Sequence, residues 1–160
     1  MFHVGEKVVY PAHGAGIVES IEDKDVFGSI QKCYIIRMVI GNMKVIIPVN
    51  KIESLNIRVI GNCEDYQKVL DILSGPCVKM EERWNIRYRQ NELKIREGCI
   101  FDLAIIANYL ANMDRIKKLS TWEKKMYCNV IQLLISELSL IKNLSLVEIE
   151  KIIDEVLNVC

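Results

Sequence analysis

Hydrophobic residues alternate with polar ones over the first sixty residues of this chain and recur every three to four residues after that. Alternation is the period of half-buried strands, whereas a spacing of three to four is that of amphipathic helices. Segments rich in β-forming residues cover 7–10, 16–22, 32–39 and 43–48. A Gly-Asn pair at 41–42 can supply the positive φ angles of a tight turn. Several short strands at this spacing predict a small, strongly bent sheet or an SH3-like barrel.

The rest of the chain has the periodicity of helices. The pattern predicts them at about 64–73, 78–97, 99–113, 121–140 and 146–157. Gly98 suits the position just after a helix. Ser120 and Ser145 each stand three residues before a Glu, as in the capping box that opens a helix. We therefore predict an α+β fold, with a β module at 1–55 and an all-α bundle of four to five helices at 56–160.

The composition excludes several classes of protein. Of the 160 residues 51% are hydrophobic and 26% charged, which is enough apolar material for a core. No apolar run approaches the roughly 18 residues of a membrane span, and no signal peptide is visible at the N-terminus. The cysteines form no CxxC pair and match no zinc-ligand spacing; they are Cys33, Cys63, Cys77, Cys99, Cys128 and Cys160. We expect a cytoplasmic protein with free, mostly structural thiols, no metal and no membrane association.

Enzyme chemistry has almost no support in the sequence. The motifs GxxxxGK[ST], GxGxxG and HExxH do not occur. We interpret His13 as a turn residue, because His3 is the only other histidine and no acidic residue is fixed beside it. A thiol nucleophile such as Cys128 is an alternative that predicts inactivation by alkylation, but a thiolate needs a base or another positive group nearby. We expect no catalytic residue and no cofactor.

Trp84 is the most unusual residue of the chain because it lies among arginines. It stands between Arg83 and Arg87, with Tyr88 one helical turn further on. This arrangement is typical of a surface that meets nucleic acid, where cations hold phosphates and an aromatic or apolar wedge works at the bases. The alternative is an indole buried in the bundle with solvated charges around it.

The charges are unevenly distributed although their sum is zero. Residues 113–127 contain five basic residues against two acidic ones, whereas 137–160 contain two basic against five acidic. A formal net charge of zero argues against an autonomous, high-affinity DNA-binding protein. Local basic patches remain compatible with DNA contact, and solvated helix faces would explain the same charges.

Four segments resemble landmarks of the CarD/CdnL family of bacterial transcription regulators. They are FHVGEKVVYPAHGAG from residue 2, GNMKVIIP from residue 41, RWNIRYR from residue 83 and LSTWEKK from residue 119. The first segment leads into the pattern VYPxHGxGxV at residues 9–18, which the family shares with the RNA-polymerase-interacting domain of transcription-repair coupling factor. The four segments follow the family's order over nearly the full length of the chain.

The resemblance implies a Tudor-like N-terminal domain that binds the β subunit of bacterial RNA polymerase. It also implies a helical domain that contacts promoter DNA at the upstream edge of the transcription bubble, where Trp84 wedges into the minor groove and helps to keep the promoter open. The residues expected to contact DNA are Trp84, Arg87, Arg89, Lys124 and Lys125. Those expected to contact polymerase are Lys24, Lys44 and Ile46.

The chain departs from some family members at two positions. Ile46 and Ile86 stand where some relatives carry Arg, which should weaken the electrostatic part of each contact. Ile46 either packs against polymerase or belongs to the barrel. We expect a monomer. The alternative function is a protein–protein adaptor on RNA polymerase that pairs through a strand edge, buries Trp84 and has no direct DNA role.

Overall fold

The computed structural model describes residues 1–158 and contains five strands followed by five helices. The strands are β1 (Lys7–Tyr10), β2 (Gly14–Val26), β3 (Ser29–Met38), β4 (Lys44–Pro48) and β5 (Arg58–Val59). The helices are α1 (Cys63–Ser74), α2 (Trp84–Glu97), α3 (Ile100–Ile116), α4 (Thr121–Lys142) and α5 (Leu146–Leu157). The predicted α+β class is confirmed.

The strands form one antiparallel sheet in the order β4-β3-β2-β1-β5, so β4 and β5 are its edges. The predicted turn at Gly41–Asn42 has positive φ at both residues, 77° and 51°. Strand β5 was not predicted, because it has only two residues and a segment of two is too short to show an alternation of polar and apolar residues. It pairs with β1 through Val59 and Arg58 and so extends the sheet beyond the predicted module end at 55. The inner face of the sheet packs its own core, which includes Tyr34, Ile36 and Ile47.

The helices pack around a second core, and local signals fix most of their ends. The Ser120 Oγ accepts a hydrogen bond from the Glu123 N–H at 3.2 Å, and the Ser145 Oγ accepts one from Glu148 at 3.1 Å. Both predicted helix starts are therefore confirmed. Gly98 ends α2 with a φ of 78°, as predicted. Helix α2 itself begins at residue 84 instead of 78, because the Arg87 side chain binds the backbone carbonyls of Glu81 and Glu82.

Buried polar contacts join the sheet to helix α4. The carboxylate of Glu137, which is 2% exposed, accepts hydrogen bonds from Arg58 Nη1 and Nη2 at 2.9 and 2.8 Å. The same carboxylate accepts the backbone N–H of Gly61 at 2.9 Å. The N–H of Ala15 in β2 donates to the Ser136 Oγ at 3.0 Å. Because Glu137 and Ser136 are buried and their hydrogen bonds are directional, these contacts fix the orientation of the two modules.

The glycine that ends α2 lies against Pro11, in the turn between β1 and β2. A Cβ at Gly98 would stand 2.7 Å from the Pro11 Cβ, whereas one at Gly28, which also has positive φ, would meet nothing within 4 Å. We expect Gly28→Ala to cost about 1–2 kcal/mol of left-handed strain. Gly98→Ala should cost that plus about 1–3 kcal/mol of overpacking. Urea unfolding of both variants measures the difference, and equal losses would contradict the contact.

Three further features concern the cysteines, the potential metal ligands and the length of the helices. Cys33 is buried, but Cys63, Cys77, Cys99 and Cys128 are exposed, so the expectation of mostly structural thiols is wrong for these four. Cys160 lies outside the described residues. Within residues 1–158 no cluster of three or more potential metal ligands occurs. Over the same range no single helix is long and apolar enough to cross a membrane; α4 and α5 meet the requirements of length and composition only together, as a pair bent by 114°.

Candidate nucleic-acid interface

Trp84 is the first residue of α2 and projects from the bundle with 52% of its surface exposed. Its ring meets the ring of Tyr88 edge to face, with the centroids 6.4 Å apart. Arg83 precedes it as the N-cap residue but makes no capping hydrogen bond through its side chain. The alternative of a buried indole is therefore wrong. A large part of the ring is free to meet a partner.

Arg87, one turn further on, is buried in the interior with 6% of its surface exposed. Its Nε donates to the Glu123 carboxylate at 3.3 Å and its Nη2 donates to both oxygens at 3.1 and 3.2 Å. The guanidinium carbon lies 5.4 Å from the centroid of the Tyr109 ring. A guanidinium enclosed in this way is shielded from a phosphate outside. The expectation that Arg87 contacts DNA is corrected: Arg87 is a positioning residue.

Arg87 also determines where α2 begins. Its Nη1 donates to the backbone carbonyls of Glu81 and Glu82, at 3.0 and 3.1 Å. In a helix that began at 78, those carbonyls would accept backbone N–H groups four residues later. The guanidinium replaces these helical donors, so the chain stays irregular up to Arg83. Trp84 therefore stands at a helix end, at the edge of the bundle, instead of in the middle of a long helix.

The other predicted cations are exposed on two adjacent helices. Arg89 lies on α2, and Lys124 and Lys125 lie on the first turns of α4. The start of α4 is held beside α2 by the ion pair between Arg87 and Glu123, whose closest N–O distance is 3.1 Å. The structure thus keeps three of the four predicted DNA-contacting cations on the surface.

Sequence reasoning missed a cavity of about 490 Å³ beside Trp84. Its lining includes the indole and the side chains of Arg83, Lys117 and Lys118. Arg83 also donates to the Glu81 carboxylate at 3.0 Å, and this hydrogen bond holds the pKa of Glu81 below its usual value. The lysines belong to the basic cluster seen in the sequence. Only the fold shows that the α3–α4 loop brings them beside the tryptophan.

The three residues expected to meet polymerase lie on one face of the sheet, opposite its core. The register pairs Lys24 with Gln31 in β3, and it pairs Ile46 and Lys44 with positions 35 and 37 of the same strand. Odd-numbered positions of β3 point to the same side, and cross-strand partners share a face. Ile46 is 53% exposed, so the alternative that it fills the barrel interior is wrong.

An ion-pair network crosses this outer face. The Glu19 carboxylate lies 2.8 Å from Arg37 Nη2 and 3.4 Å from Lys44 Nζ, which joins β2, β3 and β4. The hydrogen bond from Arg37 is the main cause of a pKa for Glu19 that is below the usual glutamate value. Lys24 lies apart from the network and pairs loosely with Glu22 at 3.7 Å. The face presents a fixed pattern of charges beside the exposed Ile46.

Comparisons with known proteins match both modules. Residues 2–60 match the family model described as the CarD-like/TRCF RID domain, and residues 68–154 match the model described as the CarD, C-terminal domain. A protein named "Putative transcription factor YdeB" from Bacillus subtilis (strain 168) is 40% identical over 145 residues, which cover 91% of this chain and 95% of that protein. The family is non-enzymatic, which confirms the expectation that the chain is not an enzyme. The chain belongs to the CarD-like family of transcription factors.

Proposed function

We propose that the protein binds the β subunit of bacterial RNA polymerase through the outer face of its sheet and stabilises the open promoter complex through Trp84. Its family supports the broader statement, that of a transcription regulator that interacts with RNA polymerase. The observation that carries the DNA-binding part is the indole at the start of α2, which is 52% exposed and lines a cavity together with Arg83, Lys117 and Lys118. The proposal requires one copy of the chain, acting in the cytoplasm.

The mechanism is a shift of population. An open bubble recloses, and a factor that binds the open form better than the closed form shifts the equilibrium by that difference in affinity alone. An unstacked junction at the bubble edge offers a π-face that an intact duplex lacks. Stacking of a base on an aromatic ring contributes roughly 1–3 kcal/mol. This corresponds to about a five- to 150-fold shift in a two-state equilibrium.

The exposed cations position the indole without reading sequence. Arg89, Lys124 and Lys125 can each contact a phosphate, and phosphate contacts fix register and orientation without base discrimination. With a net charge of zero, we expect weak binding to free duplex DNA. Attachment of the sheet to polymerase would bring the helical module close to the promoter, which compensates for its weak affinity for free DNA.

The edge strand β4 supports the polymerase contact and also a second candidate. An exposed edge can pair with a strand of another protein, and the outward side chains then give specificity. Here Lys44 and Ile46 are the exposed side chains of that strand. A protein that used this edge alone would be an adaptor with no direct role at DNA.

Two measurements on the same preparation test the proposal. One is the retention of the protein by an immobilised fragment of the polymerase β subunit. The other is the lifetime of the open complex on one promoter after competitor challenge, with and without the protein. We expect retention together with a longer lifetime. Retention with an unchanged lifetime would favour the adaptor, and loss of both would overturn the proposal.

A further inference from the structure

Trp122 is a second exposed indole, and the role proposed for Trp84 does not involve it. It is the second residue of α4 and is 59% exposed, somewhat more than Trp84 at 52%. The Nζ of Lys125, one turn further along α4, lies over the ring at 5.7 Å from the centroid. Trp122 is therefore not a core anchor. It presents an aromatic surface with a cation already placed beside it.

Each indole contacts a residue that lines the groove between α2 and α4. The groove has a volume of about 380 Å³, and its walls include Tyr88 from α2 and Lys125 from α4. Tyr88 contacts the ring of Trp84, and Lys125 contacts that of Trp122. The buried ion pair of Arg87 with Glu123, the residue after Trp122, locks the two helices together at this level.

The charge of this surface favours an anionic partner with flat faces. Lys124 and Lys125, two and three residues after Trp122, are both exposed. Arg96 lines the groove further down and pairs with Glu92 at 3.5 Å. Surfaces that bind single strands combine cations along the backbone with aromatic rings on which bases stack. Duplex DNA offers phosphates but no accessible base face.

We propose that Trp122 stacks on an unpaired base of the promoter strand beside the junction that Trp84 enters, while Lys125 holds a neighbouring phosphate. This inference rests on the proposed function, because it needs an opened promoter next to Trp84. It adds a second aromatic contact, so the opened DNA is held at two points. The two contacts are carried by different helices of one rigid bundle.

The first test is the lifetime of the open complex with Trp122→Ala and Trp122→Phe. We expect the alanine variant to shorten the lifetime about five-fold or more. The phenylalanine variant, which keeps a ring, should retain most of it. Val147→Ala is the matched control, since Val147 is also the second residue of a Ser-capped helix and is 72% exposed. Thermal unfolding of each variant checks that the fold is intact.

The second test removes the base instead of the ring. Abasic sites are placed one at a time through the upstream edge of the bubble, with wild type and Trp122→Ala compared on each template. At the stacked position the two lifetimes should converge, because the contact is already missing. A difference that persists at every position would overturn the stacking. If Trp84→Ala shortens the lifetime and Trp122→Ala does not, this inference falls and the proposed function stands. If neither does, both fall.

Discussion

Replacing Trp84 with alanine is expected to shorten the lifetime of the open promoter complex by about five- to 150-fold, the range that loss of one base–aromatic stack gives. Retention by the polymerase β subunit should not change, because the indole lies on the helical module and the proposed polymerase contact on the sheet. The measurement is decay of open complexes after competitor challenge, at saturating protein.

Leu93→Ala provides a control on the same helix. Leu93 is also a large hydrophobic residue of α2 and is 52% exposed, the same fraction as Trp84. Leu93→Ala therefore removes an equally exposed, though smaller, apolar side chain from the same helix without removing a ring. An unchanged lifetime with folded Trp84→Ala would exclude the wedge. Equal effects of the two variants would show that the open-complex lifetime depends on exposed apolar surface in general and not on the indole.

Replacing Arg87 with methionine is expected to lower the free energy of unfolding by about 3–5 kcal/mol, because it leaves the buried Glu123 carboxylate without its partner. The carbonyls of Glu81 and Glu82 would lose their donor as well. Urea denaturation measures the loss. Arg89→Met is the matched control, since Arg89 is exposed and such surface changes usually stay within about 0.5 kcal/mol.

A double variant separates stability from positioning. Replacing both members of a buried ion pair with apolar residues is often neutral, so Arg87→Met with Glu123→Leu should recover most of the lost stability. The open-complex lifetime should be shorter than that of the wild type in both the single and the double variant, because the segment before Trp84 lacks the Arg87 donor in each. If the single variant Arg87→Met lost no more stability than Arg89→Met, Arg87 would be solvent-exposed and free for phosphate.

Features encoded locally could be predicted from the sequence. Strands β1 to β4 follow from alternation, and the starts of α4 and α5 follow from Ser120 and Ser145, whose partners are three residues away. The left-handed end of α2 follows from Gly98. The exposure of Trp84 could be argued from its neighbours and from the resemblance of its segment to a known family.

Features that depend on distant partners could not be predicted. Arg87 has the spacing of an exposed basic residue, and its burial depends on Glu123, 36 positions later. This contact explains why α2 begins at residue 84 instead of 78. It also removes Arg87 from the residues that we expected to contact DNA. Strand β5 is similarly supported by the contact of Arg58 with Glu137, 79 positions away. No local sequence pattern predicts the Arg87–Glu123 pair or the Arg58–Glu137 pair.

The polar contacts that join the sheet to α4 have a consequence for promoter choice. They continue through the Arg87–Glu123 pair to the segment before Trp84, so the indole is held at a fixed distance and angle from the sheet. Successive base pairs of B-DNA are about 3.4 Å apart, and about 10 of them complete a turn. Under the proposed function, we expect a sheet docked on polymerase to let the indole reach one base-pair step. A bubble whose upstream edge lies one step away presents its junction displaced and rotated by about a tenth of a turn. Under the proposed function, we therefore expect the protein to distinguish promoters by the position of the upstream bubble edge, without recognising a single base.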